Sequence, residues 1–128
     1  MRRVLLDTHV LLWWLGDDAR LGPRTRDLIA DERNVVYVSA ATASEASIKR
    51  ALGKLSCPDN LDAIVQDEGF EQLPISFFHG ETAGALPALH RDPFDRMLVA
   101  QAQAEGLEIV TDDDAIRRYA VRIIDASG

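Results

Sequence analysis

The sequence holds a single cysteine, Cys57, so no disulfide can form within the chain, and a reducing, cytoplasmic setting is the expectation. Its longest unbroken apolar run, Val10 to Leu15, falls far short of the roughly 20 residues that a membrane-crossing helix needs. The opening Met1-Arg2-Arg3-Val4-Leu5-Leu6 has the outline of a secretory leader, but Asp7 and His9 interrupt it and no small-residue cleavage site follows, which argues against export. Positive charge is scarce: 14 Lys and Arg against 21 Asp and Glu leave a net charge of −7, which disfavours nucleic-acid binding through bulk charge. Phosphate-binding glycine loops are missing as well. No G-x-G-x-x-G follows the first apolar run, and Gly53-Lys54-Leu55 lacks both the leading glycine and the Ser/Thr of a P-loop. Internal repeats, low-complexity tracts and Pro/Gly/Ser-rich linkers are absent, so residues 1–128 read as one domain.

What is present is an alternation of two periods. Short β-branched runs occur at Val4-Leu6, Val35-Val38, Leu73-Ile75, Glu108-Thr111 and Arg122-Ile124 and predict strands. Between them, helical spacing predicts helices over 8–15, 24–32, 40–52, 61–68, 77–86, 94–105 and 114–119. Such an alternation implies an α/β layer architecture around a mostly parallel sheet of four or five strands. Val4-Leu5-Leu6 and Val35-Val36-Tyr37-Val38 do not alternate polar with apolar, which suits strands covered on both faces. With 47% hydrophobic residues the chain has the material for such a core.

Parallel strands place their carboxyl ends on one edge, where ligands of open α/β sheets bind at the point of strand-order reversal. Here that edge is acidic. Asp7 closes the first strand and Thr111-Asp112-Asp113-Asp114 closes the fourth; their carboxylates converge if those strands are neighbours. Glu45 shares a helix face with Ala41, Ile48, Leu52 and Leu55, and Asp95 shares one with Leu98, Val99 and Ala102, so both acids are expected to face inward. Separate structural roles are available to each. Glu45 pairs with Lys49 one turn on, Asp92 caps a helix that has Pro93 at its first position, and Asp95 complements that helix's dipole. A shared site accounts for all four acids together, because clustered carboxylates repel unless a divalent cation neutralises them. Oxygen donors suit Mg²⁺ or Mn²⁺, the usual partners of phosphate substrates.

Four segments resemble the PIN-domain family, and within it the VapC-type toxins of toxin–antitoxin pairs. They are Asp7-Thr8-His9-Val10-Leu11-Leu12-Trp13-Trp14-Leu15, Ser39-Ala40-Ala41-Thr42-Ala43-Ser44-Glu45, His90-Arg91-Asp92-Pro93-Phe94-Asp95-Arg96-Met97-Leu98-Val99-Ala100-Gln101-Ala102 and Ile109-Val110-Thr111-Asp112-Asp113. Together they span nearly the whole chain. The resemblance implies a three-layer α/β/α sandwich, a Mg²⁺- or Mn²⁺-dependent ribonuclease cutting RNA phosphodiesters, a commonly dimeric state, and inhibition by a cognate antitoxin protein. By position, Asp7, Glu45 and Asp95 match three metal-holding acids and Asp113 best matches the fourth, with Asp112 and Asp114 able to assist or replace it. Thr111 matches a small polar residue beside the metal, and Ser39 serves either there or as a helix cap.

Other residues carry expectations of their own. Arg91, Arg96 and Lys49 are the cations nearest the acids in sequence and are candidates for RNA phosphate contacts or plain surface charges. His9 and His90 are read as packing or polar-edge residues. Trp13 and Trp14 are read as core plus one interfacial ring, since adjacent helical residues face different ways, with base stacking as the lesser option. Cys57 has no neighbouring base and is not a nucleophile. Phosphoryl-aspartate enzymes fit poorly: no lysine follows Lys54, and Asp7-Thr8-His9 lacks a second acid two positions on. The alternative from a different class is a catalytically silent PIN-like binding or regulatory module, since a fold does not guarantee chemistry.

Overall fold

A computed structural model describes residues 1–128. Five strands, β1 (Arg3–Leu6), β2 (Val35–Ser39), β3 (Glu71–Leu73), β4 (Glu108–Thr111) and β5 (Ile123–Asp125), form one parallel sheet in the order β3-β2-β1-β4-β5. Six α-helices connect and cover it: α1 (Thr8–Leu15), α2 (Pro23–Ala30), α3 (Ala40–Ala51), α4 (Leu61–Asp67), α5 (Phe77–Ala85) and α6 (Pro93–Glu105). The strand order reverses at β1, which pairs with β2 on one side and β4 on the other.

The period-2 geometry of the strands divides the interior into two cores. Val4, Leu6, Val36, Val38 and Val110 pack with Val10 and Leu11 of α1, Ile29 of α2 and Val65 of α4. On the opposite face Leu5 and Ile109 meet Ala41 of α3 and Leu98, Val99 and Ala102 of α6. This is the α/β/α sandwich that the resemblance implied, built on the mostly parallel sheet that the sequence pattern predicted. Truncating a fully buried leucine such as Leu5 or Leu98 to alanine would cost about 2–5 kcal/mol. No helix is long and apolar enough to cross a membrane.

Local chemistry fixes where the helices begin and end. Asp7 caps α1 and Ser39 caps α3, each accepting from the backbone N–H two residues on. Asp92 caps α6 by accepting from Phe94 and Asp95 N–H, with Pro93 in the first turn, and Gly106 ends that helix in the left-handed region at φ 68°.

Three expectations are corrected. The strand foreseen at 73–75 runs over Glu71–Leu73 instead, because Pro74 has no N–H to give a sheet ladder. The helix expected over 114–119 shortens to a 3-10 turn over Ile116–Arg118, since Asp113 captures the Ala115 N–H in a side-chain turn and the chain must reach β5 within a few residues. The stripe Ala41-Ile48-Leu52-Leu55 does not face the core along its length. Ala41, Thr42, Glu45 and Ala46 are buried, but α3 runs on past the layer it packs against, leaving Ile48 and Leu52 exposed by 49% and 62%.

Two glycines make a paired test of this packing. A Cβ at Gly22 would lie 2.3 Å from the carbonyl oxygens of Ser127 and Gly128, whereas one at Gly80, inside α5, meets nothing within 4 Å. Gly22→Ala is therefore expected to destabilise by about 1–3 kcal/mol, and Gly80→Ala to stabilise by up to about 1 kcal/mol through helix propensity. Urea denaturation midpoints moving in the same direction for both would contradict the packing described.

Candidate active site

Because β1 and β4 are neighbours, the residues that follow them meet. Asp7 leaves β1 with its N–H bonded to the Val110 carbonyl at 3.0 Å. The residue is 4% exposed and its carboxylate is held on both oxygens: Oδ1 accepts from the His9 N–H at 3.1 Å, and Oδ2 from the Thr111 hydroxyl at 2.6 Å. The same Thr111 oxygen accepts from the Asp113 N–H at 3.0 Å, and Asp113 Oδ1 accepts from the Ala115 N–H at 2.8 Å. One threonine thus orients both strand-end acids. Of the triplet, Asp113 is half-buried in the cleft, Asp112 is exposed at its rim, and Asp114 points away with a fully exposed side chain beside Arg117.

Helices α3 and α6 bring the other two acids. Glu45 is only 3% exposed; Oε2 accepts from Lys49 Nζ at 2.6 Å, while Oε1 is buried with no hydrogen-bond partner. Asp95 is released from helix capping by Asp92, and its Oδ2 lies 2.9 Å from His90 Nε2. The two helices are tied together below the site, where the Ser39 hydroxyl, besides capping α3, donates to Gln101 Oε1 of α6. The Gln101 side chain is completely buried.

These side chains line a cleft of about 350 Å³ with no hydrophobic residue in its wall. A larger groove of about 510 Å³, lined by residues such as Leu11, Val38, Leu61 and Val65, is apolar and gathers no such set of ionisable groups. In the acidic cleft, electrostatics are unfavourable without a cation. Burial pushes the Asp95 carboxyl up to about 7, and the charges of Asp7, Asp92 and Glu45 push the same way. Burial also raises Asp7, against the Thr111 and His9 hydrogen bonds. Lys49 is held protonated by its bond to Glu45. An unpartnered buried carboxylate oxygen costs about 1–3 kcal/mol or more, and Glu45 Oε1 is such an atom, next to acids that burial and mutual repulsion disfavour as anions. An oxygen-rich donor set with this excess of negative charge fits a hard divalent cation.

The four sequence-predicted acids, Asp7, Glu45, Asp95 and Asp113, therefore line one cleft, as does Lys49. The Glu45–Lys49 pair and the inward-facing acid, posed as alternatives, coexist. Arg96 is a correction: its guanidinium donates to the carbonyl oxygens of Ala83, Leu86, Pro87 and His90, so it braces the α5–α6 connection instead of facing the cleft. Arg91 is exposed. Trp13 is buried, with Arg20 over its ring at 5.0 Å, and Trp14 is half-buried with its Nε1 donating to Glu68. Partial burial raises the Cys57 thiol, which weakens it further as a nucleophile. His90 is the residue sequence reasoning missed. It belongs to the cleft and reaches both Asp95 and Asp113, at 2.9 and 3.4 Å. The signal was its place two residues before the helix-capping Asp92, whose N–H bonds to its ring.

Comparison with known proteins is consistent with this geometry. The family model for the PIN domain matches residues 4–122. Ribonuclease VapC22 of Mycobacterium tuberculosis is 34% identical over 126 residues, covering 93% of each chain. The structure of VapBC2 from Rickettsia felis bound to a fragment of promoter DNA aligns with TM-score 0.67 and 18% identity, over 95% of this chain and 97% of that one. DNA-bound VapBC from Salmonella typhimurium aligns with TM-score 0.67 and 20% identity over 98% of both. At those identities the two structures speak to the fold.

The raised Asp95 carboxyl sets a pH dependence for the metal-free protein. The unfolded value is 3.8 and the folded one about 7, so the folded state holds the proton more tightly. The stabilisation this brings is complete below pH 3.8 and is lost as pH rises through about 7. In EDTA, Asp95→Asn is expected to gain melting temperature relative to wild type between pH 5.5 and 8.5. Parallel melting curves for the two proteins across that range would contradict the crowding of acids described.

Proposed function

The chain belongs to the PIN-domain family, and on that premise we propose that residues 1–128 form one PIN-like unit acting as a Mg²⁺- or Mn²⁺-dependent endoribonuclease, the toxin of a toxin–antitoxin pair. The observation that carries the reading is Glu45 Oε1, buried and without a partner in a cleft that five further acids line. The 34% identity to a protein named as a ribonuclease supports the choice of RNA as substrate.

In this reading Asp7, Glu45, Asp95 and Asp113 would hold the cation. A bound divalent ion supplies charge neutralisation at the phosphate and makes water a stronger nucleophile at neutral pH. The chain's own groups do the positioning. Thr111 keeps Asp7 and Asp113 in register, and the backbone N–H groups of His9 and Ala115 fix one oxygen of each. Lys49 occupies Glu45 Oε2, which leaves Oε1 to orient the attacking water or take its proton. The acids of the cleft would repel an RNA phosphate unless a cation neutralised them.

A cognate antitoxin and a second copy of this chain are the proposed protein partners. The toxin–antitoxin complexes with the same fold support the first. Ile75, Phe77 and Phe78, exposed by 42%, 91% and 64% ahead of and within the first turn of α5, support a covered apolar surface in an assembly.

Purified protein is expected to cut RNA with Mg²⁺ or Mn²⁺, to stop in EDTA, and to lose at least about 10- to 100-fold of its rate on Asp7→Asn, the range seen even for outer-shell partners of a metal. Activity that survives EDTA or the substitution would refute the mechanism. Metal binding with no cleavage of any RNA tested would favour the silent binding module. For the assembly, sedimentation is expected to show a dimer that Phe77→Glu weakens; a monomeric wild-type protein would refute the homodimer.

A further inference from the structure

His90 Nε2 lies within reach of two carboxylates, and a nitrogen in that position has two possible uses: to join the acids as a cation ligand or to hold them as a hydrogen-bond donor. The ligand-bearing atoms of His90, Asp95 and Asp113 all lie within 4.8 Å of one another, so distance alone does not choose. The other ring nitrogen does. Nδ1 accepts from the backbone N–H of Asp92 at 3.2 Å, and an acceptor nitrogen carries no proton. In a neutral imidazole the single proton is then on Nε2, which hydrogen-bonds to Asp113 Oδ2 at 3.4 Å and lies 2.9 Å from Asp95 Oδ2. To ligate a cation through Nε2, the ring would have to move that proton to Nδ1, where it would face the Asp92 N–H, donor against donor. Asp92 N–H cannot turn away, because its residue caps α6.

The rest of the residue is fixed as firmly. His90 N–H donates to the Tyr119 hydroxyl at 2.9 Å, that hydroxyl donates to the Pro87 carbonyl at 2.9 Å, and Arg96 donates to the His90 carbonyl at 3.3 Å. Backbone and ring are therefore set before any ligand arrives.

From this we infer that His90 is a positioning residue: a neutral Nε2–H donor to Asp113, at the end of β4, that sits 2.9 Å from Asp95 of α6 and keeps the two acids in place beside the cleft without itself ligating the cation. The inference rests on the metal-dependent reading above. Acids from separate elements that repel one another would otherwise rotate apart, and a donor between them offsets that repulsion without occupying all of either carboxylate. Outer-shell donors of this kind are typically worth 10- to 100-fold in metal affinity. Because the ligand set stays all oxygen, losing His90 should weaken Mg²⁺ and Mn²⁺ by the same factor, whereas losing a nitrogen ligand should penalise Mn²⁺, which accepts nitrogen donors more readily than Mg²⁺, by more.

The test uses full-length ¹⁵N-labelled protein and Mg²⁺ and Mn²⁺ as probes. Long-range ¹H–¹⁵N imidazole spectra, with the His90 signals identified by their loss in His90→Gln, are expected to show the Nε2–H tautomer both without metal and with saturating Mg²⁺. Calorimetric titration is expected to show Mg²⁺ and Mn²⁺ binding weakened about 10-fold or more, equally for both, in His90→Leu. His90→Gln, whose amide nitrogen reaches the same place as a donor, is expected to recover most of the loss. A switch to the Nδ1–H form on adding Mg²⁺, or a loss of Mn²⁺ affinity much larger than that of Mg²⁺, would overturn the inference in favour of ligation. Unchanged affinities in a folded His90→Leu, or no recovery in His90→Gln, would overturn the positioning role. Failure of the wild-type protein to bind either ion would refute the metal site itself, while wild-type binding with any of the contrary results for His90 would refute this role alone.

Discussion

The pairing of β1 with β4 is the constraint from which the site follows. Asp7 and Thr111 are separated by 104 positions in the chain, yet their side chains form a buried 2.6 Å hydrogen bond. That is possible only because Leu6 lies beside Val110 in the sheet. The crossover leading to β2 goes one way from β1 and β4 is added on the other side, so the edge between β1 and β4 is the place where no connecting loop covers the strand ends. An acid placed immediately after each strand then needs no further device to meet its counterpart.

The arrangement trades stability for chemistry. In an ordinary core, Glu45 would be replaced by a residue that leaves no lone pair stranded, and Asp95 would not sit where burial drives its carboxyl toward neutrality. The cost is borne by a frame that is well determined elsewhere. Two apolar cores enclose the sheet, and the helices that carry acids start at side-chain caps, Asp92 and Ser39. Lys49 and His90 relieve part of the repulsion without cancelling it, and the remaining negative charge suits a small, highly charged cation.

Much of this could be read from the chain because the signals were local. Asp7 and the 112–114 acids follow apolar runs directly, with the resemblance selecting Asp113 among the three, Asp92-Pro93 writes a helix start, and the apolar neighbours of Asp95 share its face of α6. What was not legible depended on where elements end in space. Ile48 and Leu52 continue the periodicity of Ala41 and Glu45, but period says nothing about how far a neighbouring layer extends, and they are exposed. Arg96 sits one residue from a site acid, yet a helix turns its side chain away from that acid, toward the carbonyl oxygens that precede α6. His90 lies outside any regular element, so neither helical nor strand spacing assigned it a direction. Its place is set by hydrogen bonds to Tyr119 and Asp92, one of them to a residue 29 positions away.

The small polar junction of Ser39 with Gln101 has a wider effect than its size suggests. Bulky side chains can slide past one another by a fraction of an ångström at little expense, whereas a hydroxyl that simultaneously begins one helix and grips an amide on the next leaves no such slack. The helices bearing Glu45 and Asp95 are in effect a single jig, bolted at one point. Errors in its alignment would reach both acids at once, so drift at either partner during evolution should be matched by change at the other.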